Sequence, residues 1–178
     1  MQEVAAKEFG IAGAKAWGMS QSTRADVDRR IKANGDVYAA FLHAQYDATQ
    51  DLFAKAGITE VVLYRGFKFS TPPAWARLPG KDAYGNTVVN GPGRETIATL
   101  RPLSSFSYSP RQAVNFSDSS SPRVISATVP VSRILSTPRS GFGCYGEKEY
   151  VIVGGKSVPC WVDTPAPYRI QGEGYSHG

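Results

Sequence analysis

Arg65 is the residue whose type and surroundings point most directly to ligand binding. It follows the β-branched and aromatic segment Val61 to Tyr64, and Gly66 comes next. An arginine at a strand end with a glycine beside it can bring its planar guanidinium close to a phosphate and bind it through two parallel hydrogen bonds. A solvated arginine at a strand end is the alternative, and this residue alone favours that alternative.

A serine-rich segment, Ser104 to Ser109, supplies further polar groups. Because side chains alternate along a strand, Ser105 and Ser107 are predicted to point to one face and Phe106 to the other. Two hydroxyls can then line a cleft while the aromatic ring anchors the strand in the core. Serine-rich strands also occur at exposed sheet edges, and this segment alone favours that alternative.

Two carboxylates stand at the mouth of the apolar strand Tyr150 to Val153. Glu147 and Glu149 are two positions apart, so both can face one cavity while Lys148 faces away. The preceding loop, Gly141 to Gly146, is rich in glycine but leads into a strand. Glycine loops that bind nucleotide phosphates lead into a helix, so neither a P-loop nor a dinucleotide-binding fingerprint is predicted. An ordinary charged strand end is the alternative for this segment.

The order and spacing of these segments resemble the Arg-Ser-Glu class of mono-ADP-ribosyltransferases. That family has a strand with Tyr-Arg-Gly, a Ser-x-Ser strand followed by a short helix, and an aromatic glycine loop leading into Glu-x-Glu. Ala113 and Phe116 follow Ser105 at the offsets that the family's strand and short helix have. The resemblance covers about residues 58–162. Phe106 departs from it, since Thr or Ser is usual at the middle of the serine triplet, and the N-terminal third matches no motif of the family.

The resemblance implies a role for each of these residues and NAD as the substrate, with no metal. It implies that Glu149 is the catalytic glutamate, that Glu147 is the acid associated with an arginine acceptor, and that Ser105 supports the active-site geometry. The residues that it assigns to NAD binding are Tyr64, Arg65, Gly66, Ser105, Ser107 and Phe116. The loop Pro138 to Gly146 resembles the loop that presents the target, and the implied target contacts are Phe142, Tyr145 and Glu147.

The elements that must position these residues divide the chain into a helical part, residues 1–57, and a β-rich part, residues 58–178. Glu3 to Trp17 predicts a helix broken by its two glycines. A second helix is predicted from a cap at Thr23 to a stop at Gly35, and a third from a cap at Asp36 to a stop at Gly57. The third has an apolar stripe that predicts one buried face: Tyr38, Phe41, Leu42, Tyr46, Leu52, Phe53 and Ala56.

Beyond Gly57, short β-branched and aromatic segments predict strands. They are Thr59 to Phe67, Thr96 to Leu103, Ser105 to Tyr108, Val124 to Val129, Glu149 to Val153 and Ser157 to Val162. Thr71 to Gly93 predicts a long irregular connection, and Pro110 to Phe116 one short helix. Helices followed by short strands predict a single α+β domain, with N-terminal helices packed on a mostly antiparallel sheet. The resemblance further implies that this sheet is split, as in ADP-ribosyltransferases.

Composition disfavours several other classes of protein. The 178 residues include 20 Lys and Arg against 15 Asp and Glu, and the net charge of +5 weakly favours anionic ligands. The two cysteines, Cys144 and Cys160, and the two histidines, His43 and His177, lack metal-ligand spacing, so no zinc site is predicted. The chain has no long apolar stretch and no secretory signal, so we predict no membrane segment, a cytoplasmic site of action and reduced thiols.

The predicted partner is a target protein in the cytosol, modified by a bacterial toxin or effector or by a phage-encoded enzyme. Delivery within a longer secreted protein, and an immunity protein as a further partner, are compatible with this prediction. The same NAD chemistry on RNA or another acceptor, and an NAD glycohydrolase, stay open as alternatives. A non-catalytic binding module or phage structural module whose motifs match by chance is the alternative from a different class.

Overall fold

The structure is a computed structural model that describes residues 1–11, 20–81, 84–85, 87–88, 91–117, 121–141, 145–155 and 157–165. The helices of that part of the chain are α1 (Gln2–Glu8), α2 (Gln21–Ala56) and α3 (Pro110–Asn115). The strands are β1 (Glu60–Phe69), β2 (Gly80–Lys81), β3 (Thr87–Val88), β4 (Arg94–Ala98), β5 (Leu103–Ser107), β6 (Ser121–Pro130), β7 (Ile134–Ser136), β8 (Glu149–Val153) and β9 (Val158–Asp163). A helix-rich N-terminal region thus precedes a seven-stranded antiparallel sheet, and the predicted α+β class is confirmed.

Helix α2 runs without a break for 36 residues. The predicted stop at Gly35 and new start at Asp36 are therefore wrong. A glycine costs a helix interior only about 1 kcal/mol relative to alanine. That cost is offset by packing on both sides of the glycine, because Ile31 and Leu42 contact the same apolar cluster.

Capping residues account for both ends of α2, and a glycine with positive φ follows the end of α1. Ser20, not the predicted Thr23, is the N-cap of α2, since its hydroxyl accepts a hydrogen bond from Thr23 N at 3.2 Å. The predicted end of α2 is confirmed, because Gly57 adopts a left-handed φ of 65°. Helix α1 ends at Glu8, before Gly10, whose φ is 64°, and residues 12–17 of the predicted N-terminal helix lie outside the described residues.

The buried stripe of α2 differs from the predicted apolar one. Leu42 and Phe53 are buried, whereas the other residues of the predicted stripe are partly or fully exposed. Two polar residues, Gln45 and Thr49, occupy the buried positions between Leu42 and Phe53. The helix therefore presents hydrogen-bonding groups to the sheet as well as apolar ones.

Strand β5 begins at Leu103, so the predicted strand Thr96 to Leu103 is wrong at its end. Strand β4 stops at Ala98, and the chain then pairs with the corner that follows β8. Leu100 N donates to Gly155 O at 2.7 Å, and Gly154 N donates to Pro102 O at 2.8 Å. These hydrogen bonds to a distant segment end β4 before its apolar sequence does. The three-residue strand β7 was not predicted, and the predicted irregular connection includes the short hairpin of β2 and β3.

The seven strands of the main sheet lie in the order β4-β9-β6-β1-β5-β8-β7. Strand β1 pairs along all ten of its residues with β6, and β5 pairs along all five of its residues with β8. Between β1 and β5, in contrast, the ladder consists of one pair, Tyr64 opposite Ser107. The two halves of the sheet are therefore joined at one point and diverge beyond it.

Apolar clusters fix the helices on this sheet. Helices α1 and α2 pack on the half formed by β5, β8 and β7, through a cluster that includes Val4, Leu42, Leu135 and Val151. Gln2 strengthens this packing, because its side-chain amide donates to Leu103 O at 2.9 Å and accepts from Leu103 N at 2.8 Å. Helix α3, predicted at this position, packs on β1 and β6 through Ala113 and Val124.

Gly66 allows the backbone of α3 to rest directly on β1. A Cβ atom at Gly66 would lie 1.9 Å from Ala113 O, a backbone atom that cannot rotate away. We therefore expect Gly66→Ala to lower the free energy of unfolding by about 1–3 kcal/mol, the usual cost of overpacking, measured by chemical denaturation.

Gly35→Ala is the matched control for this substitution. A Cβ at Gly35 would meet Ile31 Cγ2 at an ordinary 3.7 Å, so alanine should raise helix stability by up to about 1 kcal/mol there. Equal stabilities for Gly66→Ala and the wild-type chain would contradict the packing of α3 on β1.

Candidate functional site

A cavity of about 420 Å³ lies where β1 and β5 diverge. Its volume is in the range of sites that bind small molecules. Eight of the ten residues predicted for the site line this cavity: Tyr64, Arg65, Gly66, Ser105, Ser107, Phe116, Glu147 and Glu149. Segments that are far apart in the chain thus converge on one concave surface.

Arg65 lies in the middle of β1, not at the predicted strand end. It directly follows Tyr64, whose pair with Ser107 makes up the β1–β5 ladder. Its Nη1 donates a hydrogen bond to Ser105 O across the gap between the two strands. Its Cζ atom lies 5.0 Å from the ring centroid of Phe67 and 6.0 Å from that of Phe106.

The electrostatic environment of Arg65 is unfavourable for a cation. Burial, with Arg101 as a second positive charge, lowers the pKa of the Arg65 guanidinium to about 10, and Glu149 acts weakly in the opposite direction. No carboxylate of the described residues forms an ion pair with Arg65. Its buried Nε atom also has no hydrogen-bond partner among them. An anion can bind favourably to such a desolvated cation, because it supplies both a compensating charge and an acceptor for the unpartnered N–H group.

The sheet register brings Glu149 into the same cavity. Glu149 is the first residue of β8 and lies opposite Ser107, which in turn lies opposite Tyr64 on β1. Side chains of directly opposite residues share one face, with Cβ atoms about 5 Å apart. One row across three strands therefore places Tyr64, Ser107 and Glu149 side by side.

Glu147 reaches the cavity by a turn rather than by strand alternation. It precedes β8 in a turn in which Lys148 N donates to Tyr145 O at 3.1 Å. Lys148 has a left-handed φ of 54°, uncommon for a residue with a side chain, and its Nζ lies 5.1 Å from the ring centroid of Tyr108. Both glutamates line the cavity, as predicted, but the strand periodicity used to predict it applies only to Glu149.

The two serines of the cavity differ in what their hydroxyls do. Ser107 is buried, and its Oγ donates to Glu147 O at 3.0 Å and accepts from Ser109 N at 3.1 Å. That hydroxyl ties the turn of Glu147 to β5. Ser105 is exposed, and its carbonyl rather than its hydroxyl holds Arg65. The predicted burial of Phe106 in the core is confirmed, but its ring also lines the cavity, so the prediction that it faces away from the cleft is wrong.

One predicted target contact, Tyr145, does not line the cavity. Tyr145 is 78% exposed and lies at the start of the turn that carries Glu147. Phe142 lies outside the described residues, as does Cys144. The other cysteine, Cys160, is buried and free, and burial raises the pKa of its thiol to about 11.

Sequence reasoning missed three residues that shape this site. Phe67 lies under the Arg65 guanidinium, and Lys68 lines the cavity. Because side chains alternate along β1, Phe67 lies on the same face as Arg65, and the strand pattern could have predicted this contact. Arg101 lies between β4 and β5, where no local pattern relates it to Arg65.

Within the described residues, no group of three His, Cys, Asp or Glu side chains is arranged to hold a metal ion. The helices described here include none with the length and apolar character needed to cross a membrane. No known family's sequence profile matches the chain, and comparisons with curated proteins and with solved structures also give no match.

Proposed function

We propose that this chain is a mono-ADP-ribosyltransferase that moves ADP-ribose from NAD to an arginine of a target protein, as a toxin or effector or as a phage-encoded modifier. The observation that carries the proposal is the convergence of Arg65, Glu147 and Glu149 on one cavity. These groups are a desolvated cation, which forms no ion pair with a carboxylate of the described residues, and two carboxylates that approach from another strand and its preceding turn. They stand in the chain in the order that the resemblance requires.

Arg65 supports binding of the pyrophosphate of NAD. Its Nε has no partner among the described residues, and a phosphate oxygen would supply the missing acceptor and a compensating negative charge. Arg101 is close enough to lower the pKa of Arg65, and Lys68 lines the cavity, so a doubly charged anion would meet more than one cation. The residues present therefore fit the anionic part of the substrate.

Glu149 supports cleavage of the bond between nicotinamide and ribose. In this step the C1′–N bond breaks, its electron pair passes to the nicotinamide ring, and neutral nicotinamide leaves. The ribose that remains has oxocarbenium character, and a fixed carboxylate stabilises the positive charge that develops on it. The register of Glu149 opposite Ser107 fixes its backbone at the first residue of a strand that pairs along its whole length with β5.

Glu147 supports the choice of arginine as acceptor. A guanidinium is a poor nucleophile because it is protonated at neutral pH, and a carboxylate that accepts its N–H groups orients one nitrogen and withdraws part of its charge. The nitrogen lone pair then forms the new bond to C1′, and the proton displaced from that nitrogen passes to the carboxylate or to water. The products are nicotinamide, the modified arginine and one proton.

The experiment that tests the proposal is incubation of the folded protein with NAD and a cell lysate, with and without RNase. We expect free nicotinamide and ADP-ribose attached to arginine of protein, located by mass spectrometry. Glu147→Ala should abolish transfer to arginine while hydrolysis of NAD by water persists, because the bond-breaking carboxylate is untouched. Glu60→Ala, at an exposed position of β1 outside the cavity, is the control and should behave as wild type.

The other possible results would identify a different acceptor or activity, or would contradict the proposal. Label that disappears with RNase would move the acceptor from protein to RNA, and free ADP-ribose without labelled macromolecule would make the protein an NAD glycohydrolase. Equal loss of transfer and hydrolysis in Glu147→Ala would contradict the division of roles between the two glutamates. Absence of nicotinamide release by the wild-type protein would refute the proposal.

A further inference from the structure

The Arg65 guanidinium lies against two aromatic rings and bonds to one carbonyl oxygen. Its Cζ atom is 5.0 Å from the ring centroid of Phe67 and 6.0 Å from that of Phe106, and none of the described carboxylates forms an ion pair with it. The face of an aromatic ring attracts a cation, and the attraction is stronger where water is excluded. Because a ring carries no net charge, it holds the cation without neutralising it. The positive charge of Arg65 therefore stays available to an anionic ligand.

A stack of three rings fixes Phe67 against this cation. Phe67 and Phe69 lie on one face of β1, with ring centroids 5.3 Å apart and ring planes within 7° of each other. Trp75 meets both rings edge-on, with its centroid 5.4 Å from that of Phe67 and 5.9 Å from that of Phe69. Offset stacking and edge-to-face contact are the two arrangements that aromatic pairs prefer. The orientation of the Phe67 ring is thus set by a neighbour on its own strand and by another segment of the chain.

Strand β4 holds Trp75 in this position. Trp75 belongs to a short 3-10 helix, Ala74–Ala76, which lies between β1 and β2 in the chain. Thr96 Oγ1 donates to Trp75 O at 3.0 Å, and Arg94 Nη2 donates to the same oxygen at 3.2 Å. Both donors are residues of β4, which is an edge strand of the sheet. A continuous series of contacts between described residues therefore runs from this edge strand to the cation of the cavity.

We propose that Phe67 and Trp75 are positioning residues for Arg65, so that an aromatic stack outside the motifs determines how tightly the cavity binds NAD. The inference rests on the proposed function, in which Arg65 binds the pyrophosphate. The Phe67 ring holds the guanidinium while Ser105 O accepts from Nη1, and Nε, which has no partner among the described residues, is left for a phosphate oxygen. Trp75 acts one step further away, because it is not among the residues that line the cavity.

The first test replaces Phe67 with residues that keep or lose the ring. Phe67→Tyr keeps the aromatic face and should retain the wild-type dissociation constant for NAD, whereas Phe67→Leu should raise it about tenfold, a change within the range of cation–π attractions. The kcat for nicotinamide release should change less than the KM for NAD, because the strand that carries Glu149 is untouched. Phe69→Leu is the matched control, since it removes a ring from the same stack two positions further along β1 and should leave the affinity unchanged.

A second pair of substitutions tests the stack without changing a residue that lines the cavity. Trp75→Leu should raise the dissociation constant for NAD by a smaller factor than Phe67→Leu does, and Trp75→Phe, which keeps a ring, should not raise it. If Phe67→Leu does not fold, pentafluorophenylalanine is incorporated at position 67 instead. Fluorine withdraws electron density from a ring of similar shape, so the attraction of its face for a cation is lost while the packing is kept.

NMR relaxation of the Arg65 Nε–H group supplies a readout that does not depend on NAD. Its order parameter in the ligand-free protein reports how firmly the guanidinium is held on the picosecond-to-nanosecond timescale. This order parameter should be lower in Phe67→Leu and Trp75→Leu than in Phe67→Tyr, in Trp75→Phe and in the wild-type chain.

Three results would overturn the inference while the proposed function stands. They are an unchanged order parameter in Phe67→Leu, an unchanged affinity of that variant for NAD, and a loss of affinity in Phe69→Leu as large as that in Phe67→Leu. The first would leave Phe67 as at most a direct contact of NAD, and the third would make the stack purely structural. If the wild-type protein binds no NAD, the proposed function fails separately. The order parameter then decides whether the stack positions Arg65, since an unchanged value would overturn the inference as well.

Discussion

Glu149→Gln should fold as the wild-type chain does and lose about a hundredfold to a thousandfold of the rate of nicotinamide release. The substitution keeps the size of the side chain and removes its negative charge, so it deletes the stabilisation of the positive ribose together with the electrostatic interaction of Glu149 with Arg65. Groups aimed at a charge that develops in a transition state commonly contribute a factor of this order. The measurement is kcat for nicotinamide release at saturating NAD, together with the NAD dissociation constant from calorimetry.

NAD binding should largely survive in this variant, because Arg65 and the apolar wall of the cavity are unchanged. The loss is thus expected in kcat rather than in affinity, which separates a transition-state role from a binding role. Glu95→Gln, at an exposed position of β4, removes the same charge away from the cavity and should leave turnover unchanged. Comparable turnover by folded Glu149→Gln and wild type would remove the basis for assigning catalysis to this glutamate.

Arg65→Met should abolish NAD binding while the protein keeps its stability or gains up to about 2 kcal/mol. The guanidinium is desolvated and has no carboxylate partner among the described residues, so an apolar side chain of similar length relieves an electrostatic penalty. The lost interactions are the bond to Ser105 O and those with the two nearby rings. Chemical denaturation measures the first effect and calorimetry with NAD the second.

The pH dependence of the stability that Arg65 contributes determines the pH at which Arg65→Met should be compared with the wild-type chain. The pKa of folded Arg65 is lowered to about 10, so the unfolded chain binds more protons between that pH and the ordinary arginine pKa. Stability contributed by this group therefore rises with pH only in that alkaline window. Below pH 10 the guanidinium is protonated in both states, and the penalty is constant. The comparison at neutral pH consequently contains the whole effect.

Two other variants make the Arg65 result interpretable. Arg65→Lys keeps the charge but loses the planar pair of donors, so we expect weaker NAD binding without any gain in stability. Arg133→Met is the structural contrast. Arg133 donates to Val153 O, Gly154 O and Ser157 O, and removing it should destabilise the fold. Tight NAD binding by Arg65→Met, or destabilisation as large as that of Arg133→Met, would contradict an anion site at Arg65.

The sequence by itself determined those features that depend on near neighbours. Strand β8 and helix α3 lie where their local patterns predict them, and α2 ends at the glycine predicted to end it. Ser105 and Ser107 line the cavity and Phe106 is buried in the core, as the local pattern predicts, although Phe106 lines the cavity as well. Such features are set by side-chain periodicity and turn chemistry within one segment, so one segment is enough to predict them.

Predictions of element ends from local glycine and capping residues were wrong where tertiary packing outweighed the local preference. Gly35 and Asp36 have the residue types of a helix boundary, yet α2 continues because residues on both sides of them contact one apolar cluster. Arg65 was predicted at a strand end, yet β1 continues to Phe69 because each of its residues pairs with β6. A cost of about 1 kcal/mol at one position is small beside the burial of several apolar side chains.

Only the tertiary structure decided how the separate motifs are placed relative to one another. The single β1–β5 pair, Tyr64 opposite Ser107, opens the cavity, and the register of Glu149 opposite Ser107 sets a carboxylate beside it. The second cation, Arg101, likewise acts on Arg65 although no local pattern relates the two residues. Strand register and helix docking are chosen by the free energy of the whole packed chain, and this is why the sequence predicted the residues of the site but not the supports that position them.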